Sequence, residues 1–253
     1  MLTLKGRTAI VIGAGLPGVI ELLEGGMNVV IFTHTPSLTN SIVEQLDQKT
    51  VDEQLLVIMD AMVDDDEKLL PALEQAKNRF GSVDAILCFS GGPGKVCDLE
   101  DVTVDEINKE VPYLTATCLN FLKGALPYLK ESKAPRVVFV TTTEAQTGGT
   151  NGGLLDAIAR GAVLSATYNM ARRMAPYGIT VNAISVGPFD KNMPHWKNSE
   201  FQIPDPYAIV DQVPLGRVGN QKDVAAALHY LFSEEASFIT GQVINLNGGM
   251  FMG

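Results

Sequence analysis

The chain is short of positive charge: 19 lysines and arginines stand against 29 aspartates and glutamates, a net charge of −10. That balance argues against a nucleic-acid backbone as partner, because phosphate binding needs clustered cations. Long apolar runs are missing as well. No stretch is long enough to cross a bilayer, and the opening Met1-Leu2-Thr3-Leu4-Lys5-Gly6 lacks the layout of a signal peptide, so the expectation is a cytoplasmic protein with no membrane partner. Cysteine is scarce. Cys88, Cys97 and Cys118 are odd in number and show no metal-ligand spacing, which points to buried or incidental thiols and to no metal. There is no internal repeat and no low-complexity linker.

What is present suits one substantial core: 253 residues, 46% hydrophobic and 19% charged, read as a single domain over 1–253. Short, continuous apolar runs at Ala9 to Ile12, Val29 to Phe32, Leu55 to Met59, Ala85 to Phe89, Val137 to Val140, Val181 to Ser185 and Val243 to Leu246 read as buried strands. Between them, Ser37 to Gln48, Asp65 to Phe80, Val104 to Tyr128, Leu154 to Tyr177 and Gln221 to Phe232 read as helices. This alternation predicts an α/β fold, a single Rossmann-like, doubly wound parallel sheet flanked by helices.

Several segments carry a resemblance. Gly161-Ala162-Val163, then Met174-Ala175-Pro176-Tyr177-Gly178-Ile179-Thr180-Val181-Asn182-Ala183, then Pro214-Leu215-Gly216-Arg217-Val218-Gly219 and Ile239-Thr240-Gly241-Gln242-Val243-Ile244-Asn245-Leu246-Asn247-Gly248-Gly249 resemble the short-chain dehydrogenase/reductase family. The resemblance spans nearly the whole chain. It implies a nucleotide site at the strand ends, a substrate-covering loop at 187–212, and a two-fold dimer or tetramer.

The first strand ends in Gly13-Ala14-Gly15-Leu16-Pro17-Gly18, a Gly-x-Gly-x-x-Gly pattern whose glycines allow close approach to a pyrophosphate. Three features weaken it. Pro17 offers no N–H, the stretch to the second strand is about four residues shorter than the family's, roughly one helical turn, and the second strand ends in Thr33-His34 rather than in an acidic residue. Asp60 matches the family's adenine contact. Cys88-Phe89-Ser90-Gly91 stands where Asn-Asn-Ala-Gly is usual, so Gly91 keeps the close approach while the amides are gone. The cofactor expectation is therefore none or weak binding, with Thr33 and His34 leaning to NADP(H) if a nucleotide is held.

The catalytic positions depart further. By resemblance, Asp156 and Arg160 stand where the family has tyrosine and lysine, and Thr143, thirteen residues before Asp156, stands at its serine. Pro112 lies near the family's relay asparagine and is expected to kink or interrupt its helix. An unperturbed aspartic acid titrates near about 3.9 and a phenol near about 10, so a carboxylate at the tyrosine position has no proton to give a ketone at neutral pH. Arg160, one turn along the same face, favours that charged form.

Glu144, Phe189, His195, Trp196 and Tyr113 are the remaining candidates to touch substrate, with Glu144 read rather as a solvent-facing loop residue. Tyr113, Tyr168 and Tyr207 are possible displaced phenols, Tyr168 read rather as core packing at helical spacing from Leu164. The apolar, aromatic covering loop suggests a small to medium hydrophobic ligand. Three functions stand open: a redox-neutral lyase, isomerase or cyclase working through Asp156; an atypical NADP(H)-dependent oxidoreductase of a hydroxy or keto compound; and a catalytically silent binding or partner subunit.

Overall fold

A computed structural model describes residues 4–13, 18–33, 36–59, 66–89, 99–149, 153–190 and 205–253. The order of elements is β1 (Thr8–Ile12), α1 (Val19–Glu24), β2 (Asn28–Thr33), α2 (Pro36–Val43), α3 (Gln48–Gln54), β3 (Leu55–Met59), α4 (Asp66–Phe80), β4 (Ala85–Phe89), α5 (Val104–Leu129), β5 (Arg136–Thr142), α6 (Glu144–Thr147), α7 (Leu154–Met174), β6 (Thr180–Val186), α8 (Gln221–Phe232) and β7 (Val243–Leu246). Each apolar run in the sequence became a strand. All seven pair in parallel, in the order β3-β2-β1-β4-β5-β6-β7. The winding reverses between β1 and β4, the switch point where such sheets open a crevice at their C-terminal ends.

Alternation along the strands feeds two cores. Ile10, Ile86 and Phe139 face Leu73 of α4, Phe121 of α5 and Val163 of α7, while Val11, Leu87 and Val138 face Leu22 of α1 and Leu228 of α8. Phe32 and Phe121 meet edge to face, their centroids 5.6 Å apart at 84°, the arrangement that the ring quadrupole favours. Cys88 on β4 and Cys118 on α5 are buried free thiols with sulfurs 3.2 Å apart. The Cys118 contact and then burial push the Cys88 thiol well above its ordinary range. Cys97 lies outside the described residues.

The opposite end of the sheet is locked by buried charge. Asp84 accepts from the Thr8 N–H at 2.9 Å and from the hydroxyls of Ser82 and Ser132, each at 2.6 Å. Arg136 donates to the carbonyls of Ser233 and Pro135 at 3.1 and 3.0 Å, and Arg7 donates to those of Phe232 and Ala134. The last carbonyl of α8, that of Phe232, and the carbonyl of its cap Ser233 are thus bonded by guanidinium groups, which a helix C-terminus favours.

Four expectations need correction. The helix expected over Ser37 to Gln48 is two helices, because Asp47 turns extended and caps α3, accepting from the Thr50 N–H at 3.0 Å and from its hydroxyl at 2.7 Å. Pro112 does not interrupt α5, which runs unbroken through it. Pro112 and Asn108, whose carbonyl loses its partner, are both exposed, so water can replace the missing bond. The helix expected to reach Tyr177 ends at Met174, and a 3-10 turn over Ala175–Tyr177 leads to Gly178 at φ 72°. Tyr168 is 50% exposed rather than packed in the core, because Thr167 and Ala171 occupy the buried stripe beyond Leu164.

Candidate functional site

Gly153 leads α7 off the sheet end, and the acidic group of its first turn is Asp156, where a carboxylate suits the positive end of the helix. Arg160 follows one turn later. Its Nε donates to Asp156 Oδ2 at 2.6 Å, with the two side chains only 9% and 10% exposed. The Thr141 hydroxyl, on β5, donates to the Arg160 carbonyl at 3.3 Å and ties this part of α7 to the strand. A buried carboxylate and guanidinium therefore sit one turn apart on one helical face, beside the end of β5.

Thr143 follows β5 directly and is buried. Both of its donors go to one acceptor, the Val186 carbonyl, with N–H···O at 2.9 Å and Oγ1···O at 3.1 Å. A hydroxyl has one proton to give. Here that proton extends the β5–β6 ladder by a step. The Thr143 carbonyl takes the first bonds of α6, from the Gln146 and Thr147 amides at 3.0 and 3.1 Å. Glu144 opens that helix half-buried rather than in solvent, and Gln146 Oε1 accepts from the Ser185 hydroxyl at 2.6 Å. Gln146 and Ser185 were not singled out from the sequence; nothing in its pattern marks their contact.

Of the nucleotide positions, Gly13, Gly18 and Thr33 are described, whereas Gly15, His34, Asp60 and Gly91 lie outside the described residues. Gly13 has φ 98°, and a Cβ there would stand 2.2 Å from the Phe89 carbonyl oxygen, so close packing of β1 on β4 demands glycine with or without a ligand. Gly18 precedes α1 in the left-handed region and brings no side-chain cap. The helix it opens has six residues. Among the described residues, the nucleotide positions thus show fewer than two turns of aligned peptides, a phenyl ring at Phe89 and a threonine ending β2.

At the covering loop, 191–204 lie outside the described residues, and with them His195 and Trp196. Phe189 is 5% exposed and belongs to the core; its ring lies where a Cβ on Gly219 would come within 2.7 Å. It also lines, with Leu215, Arg217 and Asn245, a cavity of about 290 Å³. The two described ends of the loop are clasped by Tyr207 Oη donating to Asp190 Oδ1 at 3.0 Å. That bond to a carboxylate raises the Tyr207 phenol above its ordinary value, so its proton is held at neutral pH. Tyr113 stands exposed on α5, and no hydrogen bond among the described residues joins it to Asp156 or Thr143. Among the described residues no cluster of His, Cys, Asp and Glu could hold a metal, and no helix is long and apolar enough to cross a membrane.

Known proteins agree with this architecture. A family model described as Enoyl-(Acyl carrier protein) reductase matches residues 13–251. The uncharacterized oxidoreductase YmfI of Bacillus subtilis (strain 168) is 30% identical over 251 residues, covering 96% of this chain and 98% of that one. The chain belongs to the short-chain dehydrogenase/reductase family. A 3-oxoacyl-[acyl-carrier-protein] reductase, FabG of Staphylococcus aureus (strain Mu50), is 27% identical over 252 residues, covering 97% of this chain and 98% of its own. Among solved structures, the NADPH-bound short-chain oxidoreductase of Pseudomonas aeruginosa PAO1, described as containing an atypical catalytic center, superposes with a TM-score of 0.86 at 23% identity over all of both chains.

The buried pair generates a stability prediction. Arg160→Met strands a buried carboxylate and should cost about 3–5 kcal/mol, whereas Asp156→Leu combined with Arg160→Met should lie close to wild type. Urea unfolding midpoints compare them. A single variant no less stable than the double would show that the two charges do not depend on each other.

Proposed function

We propose that this member of an oxidoreductase family works as a redox-neutral enzyme of lyase, isomerase or cyclase type on a small to medium, largely hydrophobic substrate. One observation carries the reading: at the place where the resemblance sets tyrosine and lysine, Asp156 and Arg160 form a buried ion pair, and the Thr143 hydroxyl donates to the Val186 carbonyl. An ion-paired carboxylate accepts a proton from an acidified carbon, or steadies a developing cation. Arg160 holds it in place for either role. Substrate enters at the strand ends beneath the loop clasped by Tyr207 and Asp190. The described nucleotide residues hold NADP(H) weakly or not at all, and no step of this chemistry passes through it.

A second reading has its own support. The names of the relatives, and an NADPH-bound neighbour with an atypical catalytic center, favour an atypical NADP(H)-dependent oxidoreductase of a hydroxy or keto compound. Proton exchange separates the two. In deuterated buffer without nucleotide, the protein should accelerate exchange at the α-carbon of simple aliphatic ketones, followed by proton NMR. Asp156→Asn, which keeps an acceptor for Arg160 but not its counter-charge, should lower stability yet abolish exchange in protein that circular dichroism shows to be folded. NADPH consumption with the same ketones, unaffected by Asp156→Asn, would establish the oxidoreductase instead. Neither activity would leave a silent binding or partner subunit.

Nucleotide affinity is a separate measurement. Loss of several donors, each contributing roughly 0.5–1.5 kcal/mol, weakens binding about ten- to a thousandfold. Calorimetry should find neither NADPH nor NADH bound more tightly than the high micromolar range. A low micromolar constant for either would overturn the weak-cofactor reading.

We further propose a homodimer or homotetramer formed by α7 and by α8 with β7. Ile158 and Tyr168 on α7, and Tyr113 and Leu119 on neighbouring α5, are large apolar side chains left exposed, and contact with a second copy would cover them. Light scattering at micromolar concentration should give at least twice the 27.2 kDa chain mass. A strict monomer would refute the assembly.

A further inference from the structure

The two described cysteines meet across the core. Cys88 lies on β4 and Cys118 in the middle of α5, yet their sulfurs are 3.2 Å apart and both are free thiols. Neither reaches water: they are 0% and 1% exposed, in the same apolar cluster as Phe121, Leu122 and Phe139. A buried cysteine packs as a small hydrophobe, but two of them in contact on different elements have a reaction open to them that no aliphatic pair has. A disulfide bond is roughly 2.0 Å long, so about 1 Å of closure joins the sulfurs.

The place of the pair in the sheet gives that reaction a consequence. Cys88 is in register with Ile12 on β1 and Phe139 on β5, the strands on either side of β4. The next residue, Phe89, ends β4 at the switch-point crevice, and its carbonyl oxygen fills the space where Gly13 can carry no Cβ. A bond from Cys88 to Cys118 would add a covalent tie between α5 and the strand that ends there.

We propose that Cys88 and Cys118 are a redox-sensitive pair, which hydrogen peroxide converts to an intrachain disulfide that clamps α5 to β4. One sulfur, as thiolate, attacks the peroxide; the O–O bond breaks, giving a sulfenic acid and, once hydroxide takes up a proton, a first water. The second sulfur attacks the first, the S–O bond breaks, and a second water leaves with the remaining thiol proton. Two thiols lose two electrons, and one peroxide becomes two waters. A second sulfur already in contact captures the sulfenic acid ahead of further oxidation. The Cys118 contact, then burial, hold the Cys88 thiol well above its ordinary range and leave little thiolate. The first step is therefore slow and waits on local opening of the core. The clamp forms whichever reaction the crevice carries out.

The test compares protein incubated with hydrogen peroxide, in buffer and in urea below the unfolding transition, with protein kept in dithiothreitol. Alkylation under denaturing conditions, followed by mass spectrometry, should count three modified cysteines in the reduced protein and one in the oxidised. A cross-linked Cys88–Cys118 peptide should appear and be removed by dithiothreitol. The oxidised protein should melt about 5–10 °C higher, because the bond closes a loop between residues 30 apart. Peroxide should leave the melting temperature of Cys118→Ala unchanged; if that variant does not fold, the comparison of oxidised with reduced wild type decides alone. Three alkylated cysteines after peroxide in both conditions, or a cross-link through Cys97 instead, would overturn the pair. So would an oxidised protein that melts at or below the reduced one.

Discussion

Everything at the candidate site depends on burying β1, β4, β5 and β6 on both faces. Their residues are almost all inaccessible to water, so each peptide group must find its partner in the parallel ladder. Pairing of this kind fixes register, and register brings the strand ends to one line. The crevice is a consequence of where hydrogen bonding stops. The same requirement decides the fate of Thr143: the Val186 carbonyl at the end of β6 still needs a donor, and the first residue past β5 supplies it twice. Thr142, one residue earlier, has its backbone inside the ladder and its side chain outside it. Strand arithmetic, rather than the chemistry of threonine, separates the two hydroxyls.

The opposite end of the sheet explains how the upper end can vary. Arg7 and Arg136 fasten the starts of β1 and β5 to the end of α8 through backbone carbonyls, and Asp84 ties β4 to the Thr8 amide of β1. Burial lowers both guanidinium groups from their ordinary values, yet coulombic attraction from Asp84 on Arg7, and from Glu234 on both, opposes it. These contacts need no particular residue at the strand C-terminal ends. A scaffold held from below leaves residues at the strand C-terminal ends free to vary without loss of register.

How much of this was legible in the sequence depended on the range of the interaction. Seven strands could be read because each is a continuous apolar run, the signature of burial on both faces. The break at Asp47 was missed because it rests on a local contest, side chain against helix, that periodicity does not record. Tyr168 was misplaced because i,i+4 spacing drifts by about 40° per step at 3.6 residues per turn, enough to carry it off a stripe held by Thr167 and Ala171. At the site, the Asp156–Arg160 contact was readable from that same spacing, since both residues lie on one helix. The Thr143–Val186 bond was not. It joins residues 43 apart, and only strand register brings them together.

That Asp156 and Arg160 are buried makes an inert filler an expensive answer. The remaining buried positions of α7 are mostly Leu, Ala and Val, and a pair of that kind would have packed without removing two charges from water. Desolvating an ion costs several kcal/mol, and replacing a buried ion pair by apolar residues is often neutral or stabilising. The gain from an acidic residue in the first turn of a helix is about 0.3–1 kcal/mol, too small to offset that cost. Stability alone therefore gives no reason for the pair. The reason we propose is functional: the guanidinium positions the carboxylate and balances its charge. On that proposal the pair serves as a proton acceptor, and this is what separates the redox-neutral reading from the ketone reduction named among the relatives.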